Sequence, residues 1–300
     1  MNRTFSSLRY LMSRLSILCL ALPLASFYGG ALSAATPTPS SAPAVIRQPA
    51  TQPNPPAAAA PSPPLPIAAP NPPIAAPVTH AGFTAVYRAS LKGLPLQATH
   101  TLKRAGKDWL FSSISSGFFG EIEENSLFAY SDKGILPKSY TYRRSVLGQN
   151  RENALIYNYT DKLALSTAEE KSWKIPLRGE EQDLGTYLLA LRDDVAQGKK
   201  DSCYRVVEER GVDEYCFRVT GREILDTALG KLPTVVVERV RKPSSPRRTR
   251  YWLVPSLAYS IAKLEHQESK DQLAYSLELT SFQPEPDKKK SSTIKPPHKK

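Results

Sequence analysis

Alternation of apolar and polar residues runs through most of the chain between Phe83 and Phe282. In the first stretch Phe83, Ala85, Tyr87 and Ala89 alternate with mostly polar neighbours, a period typical of strands that bury one face. Thirteen short segments of this kind are separated by turn sequences rich in glycine, aspartate and proline. Short strands at such regular spacing predict a mainly β domain, built as a single curved antiparallel sheet or an open barrel.

One segment breaks this alternation and carries a helical period instead. Its apolar stripe recurs at intervals of three and four residues and comprises Leu184, Tyr187, Leu188, Leu191 and Val195. Asp183 is placed to cap the start of a helix and Gly198 to end it. The pattern predicts one amphipathic helix of about four turns, packed on the concave face of the sheet.

The chain divides into four parts, of which only residues 81–286 form the predicted β domain. In residues 1–35, Arg3, Arg9 and Arg14 precede an uncharged stretch from Leu15 to Ala35, an order typical of an export signal. Cleavage after small residues and retention as a membrane anchor are both open interpretations. Residues 36–80 are dominated by proline and alanine and predict a disordered, extended linker. We therefore expect a periplasmic or other cell-envelope protein.

The net charge of +12 is unevenly distributed. Most of the excess lies in the signal and in the tail, residues 287–300, which is rich in lysine, and residues 81–286 carry only about +3. Nucleic acid is not an expected partner, because the domain charge is ordinary and the chain is predicted to be exported. Membrane contact is expected either through the stretch from Leu15 to Ala35 or through the basic tail, which predicts attraction to anionic lipids or polymers.

Two cysteines, Cys203 and Cys216, flank a sequence that predicts two strands around a turn. An even count in an exported domain favours a disulfide, and opposite positions of a hairpin lie within bridging distance. Two buried thiols are the alternative interpretation. A zinc site is not expected, since no histidine or cysteine lies nearby at ligand spacing.

The second half of the domain resembles the DUF3108 family of exported bacterial proteins of unknown function. The resemblance rests on the turn at Gly230, the strand from Thr234 to Val237, the basic hairpin from Arg239 to Arg250, and Trp252 followed by Pro255. It implies the same β-rich fold over most of residues 83–282. A curved sheet that holds a helix also resembles the lipoprotein carriers of the bacterial periplasm, a likeness of fold that carries little functional weight. The expected partners are a lipid, a lipoprotein or an envelope polymer.

No catalytic, cofactor or metal motif stands out in the domain. His100 and His266 lie in predicted strands, and the chain contains neither a Gly-x-Ser-x-Gly nor a His-Glu-x-x-His sequence. Glu121, Glu123 and Glu124 are expected on a solvated face. We expect no cofactor and no enzymatic activity, with a hydrolase of unrecognised type as the distant alternative.

Two groups of residues are candidates for ligand binding. An anionic ligand, such as a lipid headgroup or an envelope polymer, is suggested by the basic hairpin, whose guanidinium groups suit phosphate. Its residues are Arg239, Arg241, Lys242, Arg247, Arg248 and Arg250. An apolar ligand is suggested by four tyrosines on two strands, Tyr140, Tyr142, Tyr157 and Tyr159, which together with Phe118, Phe119 and Phe128 are expected to line either a cavity under the helix or an ordinary core.

These observations lead to two functional hypotheses. The first is a non-enzymatic envelope protein that binds a hydrophobic or amphipathic molecule inside the curved sheet. The second is an interaction module that contacts anionic cell-wall or outer-membrane components through the basic hairpin.

Overall fold

A computed structural model describes residues 81–270 and 272–285 of the chain. The predicted signal, linker and basic tail lie outside these residues. The described part forms strands along most of its length, with one α-helix, α1 (Thr186–Ala196), and a short 3-10 helix (Pro255–Leu257). No helix among the described residues is both long and apolar enough to cross a membrane.

The described residues form fourteen strands, thirteen of which correspond to strands predicted from the sequence. They are β1 (Phe83–Leu91), β2 (Leu94–Ala105), β3 (Asp108–Gly117), β4 (Gly120–Ser131), β5 (Gly134–Val146), β6 (Gln149–Asn158), β7 (Leu163–Ala168), β8 (Lys171–Pro176), β9 (Asp201–Val207), β10 (Val212–Thr227), β11 (Gly230–Val240), β12 (Arg248–Val254), β13 (Ser260–Ser269) and β14 (Gln272–Pro284). The unanticipated strand is β8, which is only six residues long and has few apolar positions.

All fourteen strands belong to one antiparallel sheet. Neighbours in the chain are neighbours in the sheet, except that β1 pairs with β14 and the outermost strands are β8 and β9. The alternation in the sequence explains why the sheet buries one of its two faces. Every second residue is buried in most strands, as in β4 with Ile122, Glu124, Ser126 and Phe128. The mainly β prediction, with one curved antiparallel sheet, is confirmed.

The segment between β8 and α1 brings the two outer strands together. Gln182 donates its N–H to the Arg205 carbonyl of β9 at 2.8 Å and accepts the N–H of Val207 at 2.8 Å. Side chains add two contacts across the gap: an ion pair joins Arg151 of β6 to Glu209, and the Arg210 guanidinium lies 5.5 Å from the centre of the Trp173 ring of β8. The sheet is therefore a nearly closed barrel, sealed by one loop and by side chains rather than by a continuous strand ladder.

Helix α1 lies in the interior of this barrel. Tyr187 packs against Tyr215 and Phe217, with ring centres 5.3 and 5.7 Å apart, and Arg192 donates to the Ala258 carbonyl at 3.1 Å. Gly185 permits the close approach, since a β-carbon there would lie 2.3 Å from the Ser126 hydroxyl oxygen. The prediction of a helix on the concave face is confirmed, although it has about three turns rather than four.

The ends of the helix follow the sequence prediction closely. The Asp183 carboxylate accepts the N–H groups of Gly185 and Thr186 at 2.9 and 2.8 Å, so it caps the helix from two positions before the geometric start. Gly198 follows the last helical turn with a φ of +83°, a conformation that glycine adopts without strain.

The disulfide prediction is confirmed. Cys203 of β9 and Cys216 of β10 lie directly opposite each other and are joined by a disulfide. Because β9 is an outermost strand, the bond ties an edge of the sheet to its neighbour in addition to the backbone ladder.

Candidate functional site

The turns of the barrel separate into two ends, and the basic hairpin lies at one of them. Since all neighbouring strands are antiparallel, every turn that follows an odd-numbered strand lies at the same end. We call this end the rim; it carries the turns between β9 and β10, β11 and β12, and β13 and β14. Residues on alternate positions of these strands face the interior, where Tyr215, Phe217 and Tyr251 pack around Tyr187.

Arg239 is the innermost basic residue of the rim. It pairs in register with Phe217, which contacts the helix, and only 8% of its side chain is exposed. Its guanidinium lies 3.4 Å from the centre of the Tyr215 ring and 3.9 Å from the Asp213 carboxylate. The cation is thus held in place by an aromatic face and a carboxylate at the mouth of the barrel.

Arg241 lies two residues after Arg239, on the same inward-facing side and closer to the rim, and is half-buried. Its guanidinium donates to the Thr249 hydroxyl at 3.5 Å, while its Nε is buried and has no hydrogen-bond partner among the described residues. Thr249 is in turn 2.8 Å from Nδ1 of His266. Within the described part of the chain, Arg241 forms no ion pair.

Arg247 completes a group of three guanidinium groups that we call the arginine rim: Arg239, Arg241 and Arg247. Arg247 donates to the Glu268 carboxylate at 3.1 Å, and Glu268 also lies 3.6 Å from Nε2 of His266. Glu268 and Asp213 offset part of the positive charge, but neither is paired with Arg241.

The electrostatics of the arginine rim centre on Arg241. Burial lowers the pKa of Arg241, and the positive charges of Arg239 and Arg247 lower it further. Burial also lowers the pKa of His266 to about 4, against the opposing effect of Glu268. His266 is therefore neutral at pH 7, and the positive charge of this region resides on the arginines. A half-buried cation among like charges, with an unused donor, is an arrangement that an anion would stabilise.

The structure divides the six basic residues of the prediction into separate groups. Arg248 is held by Glu238 through two hydrogen bonds of 2.9 and 2.7 Å, and Arg250 donates to Glu265 at 2.9 Å. Both alternate with inward-facing residues and lie on the outer face. Lys242 is exposed on the turn. Of the six residues, only the three of the arginine rim lie close to one another and include a buried donor, Nε of Arg241, that has no hydrogen-bond partner among the described residues.

The four predicted tyrosines come together because β5 and β6 are paired, but they occupy the core rather than line an open space. Tyr140, Tyr142 and Tyr157 are buried and Tyr159 is half-buried. The Tyr140 hydroxyl donates to Glu124 at 2.6 Å, and those of Tyr157 and Tyr159 donate to backbone carbonyls at 3.3 and 2.9 Å. Their role in binding an apolar ligand stays a prediction, which this packing does not favour.

The space beneath the helix is small. The cavity lined by Phe83, Tyr87, His100, Phe111 and Leu188 has a volume of about 20 Å³. That is room for roughly one water molecule, whereas ligand pockets usually measure about 300 Å³ or more.

None of the three phenylalanines predicted to line this cavity does so. Phe128 is buried elsewhere in the core, and Phe118 is 95% exposed and stands with Phe119 on the turn between β3 and β4. Gly117 and Gly120 flank the pair and mark a turn rather than a core segment.

The burial of Glu124 and Asp183 was not expected from the sequence, although Asp183 was predicted to cap the helix. Glu124, expected on a solvated face, is 3% exposed, and Asp183 is fully buried at the start of the helix. Burial raises the pKa of Glu124 to about 7, opposed by the Tyr140 hydrogen bond and reinforced by Asp183. Burial likewise raises the pKa of Asp183, although several hydrogen bonds oppose this. The alternation in β4 already indicated that Glu124 is buried, because Glu124 lies on the same face of the strand as Ile122 and Phe128.

A second concave region lies on the outer face of β4 to β7. It is an open groove of about 680 Å³ whose lining includes Glu121, Glu123, Arg143 and Glu152. Arg143 and Glu152 form an ion pair of 3.3 Å there. Acidic and basic side chains are mixed along its lining. Among residues 81–270 and 272–285, no group of His, Cys, Asp and Glu side chains is arranged to hold a metal ion.

Fold and site together define a helix-filled, nearly closed antiparallel β-barrel with an arginine-rich rim. The chain belongs to the DUF3108 family, described as proteins of unknown function, whose model matches residues 88–277. It is also similar to the crystal structure of a β-barrel-like protein of the domain of unknown function DUF1849 from Brucella abortus. That likeness has 10% identity and a TM-score of 0.46, and covers 69% of this chain and 98% of the other. No curated protein matches the chain.

Proposed function

We propose that this protein is a non-enzymatic binding protein of the cell envelope that holds an anionic group at the arginine rim. The observation that carries the proposal is Arg241, a half-buried guanidinium between two other cations with an unpartnered Nε. Arginine binds phosphate and carboxylate through paired hydrogen bonds, and it remains charged at physiological pH even when its pKa is lowered.

The energetics of the site favour an anion over a neutral ligand. Bringing Arg239 and Arg247 close to Arg241 costs electrostatic free energy, which their carboxylate partners offset only in part. An anion at the rim reduces that repulsion and accepts the unused N–H of Arg241. The binding energy therefore comes from charge that the folded domain already concentrates, with little rearrangement needed.

The proposed location in the envelope rests on three features. The disulfide between Cys203 and Cys216 is typical of an oxidising compartment. The arginine-led apolar segment at the start of the chain and the following Pro-rich segment have the order of an export signal and a spacer. In such a compartment the abundant anions are phosphate-bearing lipid headgroups and acidic polymers.

Binding to anionic vesicles tests the proposal. The full chain is titrated with vesicles of phosphatidylglycerol and phosphatidylcholine in equal parts, with pure phosphatidylcholine vesicles, and with a soluble polyphosphate. We expect binding to at least one of the anionic probes that weakens with added salt, above any salt-insensitive binding to phosphatidylcholine that the apolar stretch from Leu15 to Ala35 gives. Binding to vesicles alone identifies a lipid headgroup, and binding to polyphosphate alone identifies a soluble polymer.

Substitutions separate the arginine rim from general surface charge. Arg241→Gln should weaken anion binding on the order of tenfold or more, whereas Arg248→Gln, which removes the same charge from the outer face, should have little effect. Equal loss in both variants, or no loss in Arg241→Gln, would refute the assignment. A lipid of defined mass that co-purifies with the protein and persists in Arg241→Gln would instead revive the apolar-ligand hypothesis.

A further inference from the structure

The strands β10 and β11 extend beyond the barrel as a two-stranded arm. β9 pairs with β10 only as far as Arg218, and β12 pairs with β11 only from Val235 onward. Beyond a register shift between Val219 and Gly221, residues 220–227 therefore have no strand partner other than β11, and residues 230–233 have none other than β10, among the described strands. We call these residues the arm.

The two faces of the arm have different environments. Glu223 accepts a hydrogen bond from the Trp252 indole at 2.8 Å, which directs one face towards the barrel. Arg222, Ile224 and Asp226 alternate with it and are exposed, Ile224 by 69%. Among the described residues, neither Arg222 nor Asp226 has an ion-pair partner. The exposed face of the arm therefore carries an isoleucine between two opposite charges that have no ion-pair partner among the described residues.

Pro233 determines which backbone groups of the arm are unused. It lies opposite Ile224 and has no N–H, so this pair cannot exchange hydrogen bonds. The hydrogen-bonded pairs are consequently Leu225 with Leu232 and Glu223 with Thr234. The N–H and C=O groups of Arg222, Ile224 and Asp226 then point away from β11, towards an edge that no described strand covers.

The other edge of the arm is less suited to pairing. It belongs to β11, where the nitrogen of Pro233 faces outward without a proton and Lys231 adds a charge. Proline and lysine are residues that commonly protect edge strands from pairing. The β10 edge has no proline, so it offers an uninterrupted row of donors and acceptors.

We propose that this chain pairs with a second copy of itself through the free edge of β10, antiparallel about a two-fold axis at Ile224. In that register Ile224 lies opposite the Ile224 of the other copy, and Arg222 lies opposite Asp226 in both directions. In all three pairs the N–H and C=O groups point towards the other copy, because they point away from β11. Each pair can therefore exchange two hydrogen bonds, about six in total. The charges that are unpaired in one copy become complementary in two, and the contact closes as a symmetric dimer.

The sequence of the edge favours self-pairing over an unrelated strand. Residues 222, 224 and 226 read positive, apolar, negative, an order that complements itself only when the second strand runs antiparallel with its centre at Ile224. A shift of the register by two residues places Ile224 opposite a charge and leaves both charges of each copy without a charged partner.

Sedimentation velocity of the full chain over a concentration series tests the proposal through a charge exchange. The wild type should form a dimer. Arg222→Asp and Asp226→Arg should each raise the dissociation constant on the order of tenfold, since each replaces two attractive contacts by two repulsive ones. The double variant, R222D with D226R, should recover the wild-type value, and an equal mixture of the two single variants should form a mixed dimer.

A cross-link tests the position of the axis separately. Ile224→Cys should form a covalent dimer under oxidising conditions, because opposite residues of a hydrogen-bonded pair lie about 5.5 Å apart between α-carbons. Lys231→Cys, on the other strand of the same arm, should not.

A wild-type chain that remains monomeric at every concentration would overturn the proposal and leave the edge to a strand of another protein. A dimer that the double variant fails to restore, or one that cross-links equally through both cysteines, would refute this register. None of these results depends on anion binding, so the proposal and the function of the arginine rim are tested independently.

Discussion

Replacing Glu124 by glutamine should stabilise the domain in alkaline solution. Glu124 is buried in β4 next to the Tyr140 hydroxyl, and Asp183 and Tyr275 are the other titratable groups whose charge is coupled to it. Glutamine has nearly the same shape and keeps an oxygen that accepts the Tyr140 hydrogen bond. It cannot ionise, so the variant removes only the cost of a buried negative charge.

The magnitude follows from the pKa of this carboxyl. Burial raises it from its usual value of 4.5 to about 7, so the folded state binds the proton more tightly than the unfolded state does. The stability that this proton contributes is fully present below about pH 4.5, declines as the pH rises towards 7, and is lost above it. A difference of this size corresponds to about 3 kcal/mol in the free energy of unfolding at pH 8.

Urea denaturation of the wild type and Glu124→Gln at several pH values measures this effect. The variant should be more stable by up to about 3 kcal/mol at pH 8, and the gain should nearly vanish at pH 4. Glu121→Gln, on the exposed side of the same strand, is the matched control and should show no such dependence. A gain that is the same at all pH values, or a variant that is less stable at pH 8, would refute the reasoning.

Three further predictions concern the fold. Cys203→Ser opens the loop of sequence separation 13 and should lower the free energy of unfolding by about 3 kcal/mol, measured in urea against the wild type under oxidising conditions. Leu188→Asp places an unpaired charge in the interior and should abolish the near-ultraviolet circular dichroism of the folded domain, whereas the exposed substitution Lys200→Asp should preserve it. Glu209→Gln removes the ion pair with Arg151 across the gap in the sheet, so amide hydrogen exchange should accelerate in β8 and β9; unchanged exchange there would mean that this ion pair does not hold the two edges together.

Some site features could have been read from strand parity alone. Arg248 and Arg250 alternate with the buried residues Thr249 and Tyr251, so the alternation in β12 predicts that both arginines point outward. Glu124 in β4 likewise has the parity of buried residues. The expectation that charged residues are exposed fails where a charged residue has the same parity as the core.

Other features had no sequence signal of comparable strength. The arm was missed because residues 220–227 lack a buried face, and strand prediction depends on alternation between buried and exposed sides. Strand β8 was missed for a similar reason, since Trp173 and Ile175 are its only apolar side chains apart from the terminal proline.

The local order of the chain determined most of the strands, the one helix, the disulfide pair and the antiparallel sheet, because the period of alternation, the capping residues and the hairpin spacing act between residues close in sequence. Only the tertiary structure decided that the sheet nearly closes, that α1 and the tyrosines fill the interior, and that Arg239, Arg241 and Arg247 converge at the rim. Closure brings β8 and β9 together from distant parts of the sheet, and the volume enclosed depends on all fourteen strands at once. No single segment contains that information, so the choice between a cavity and a filled core was made by long-range packing.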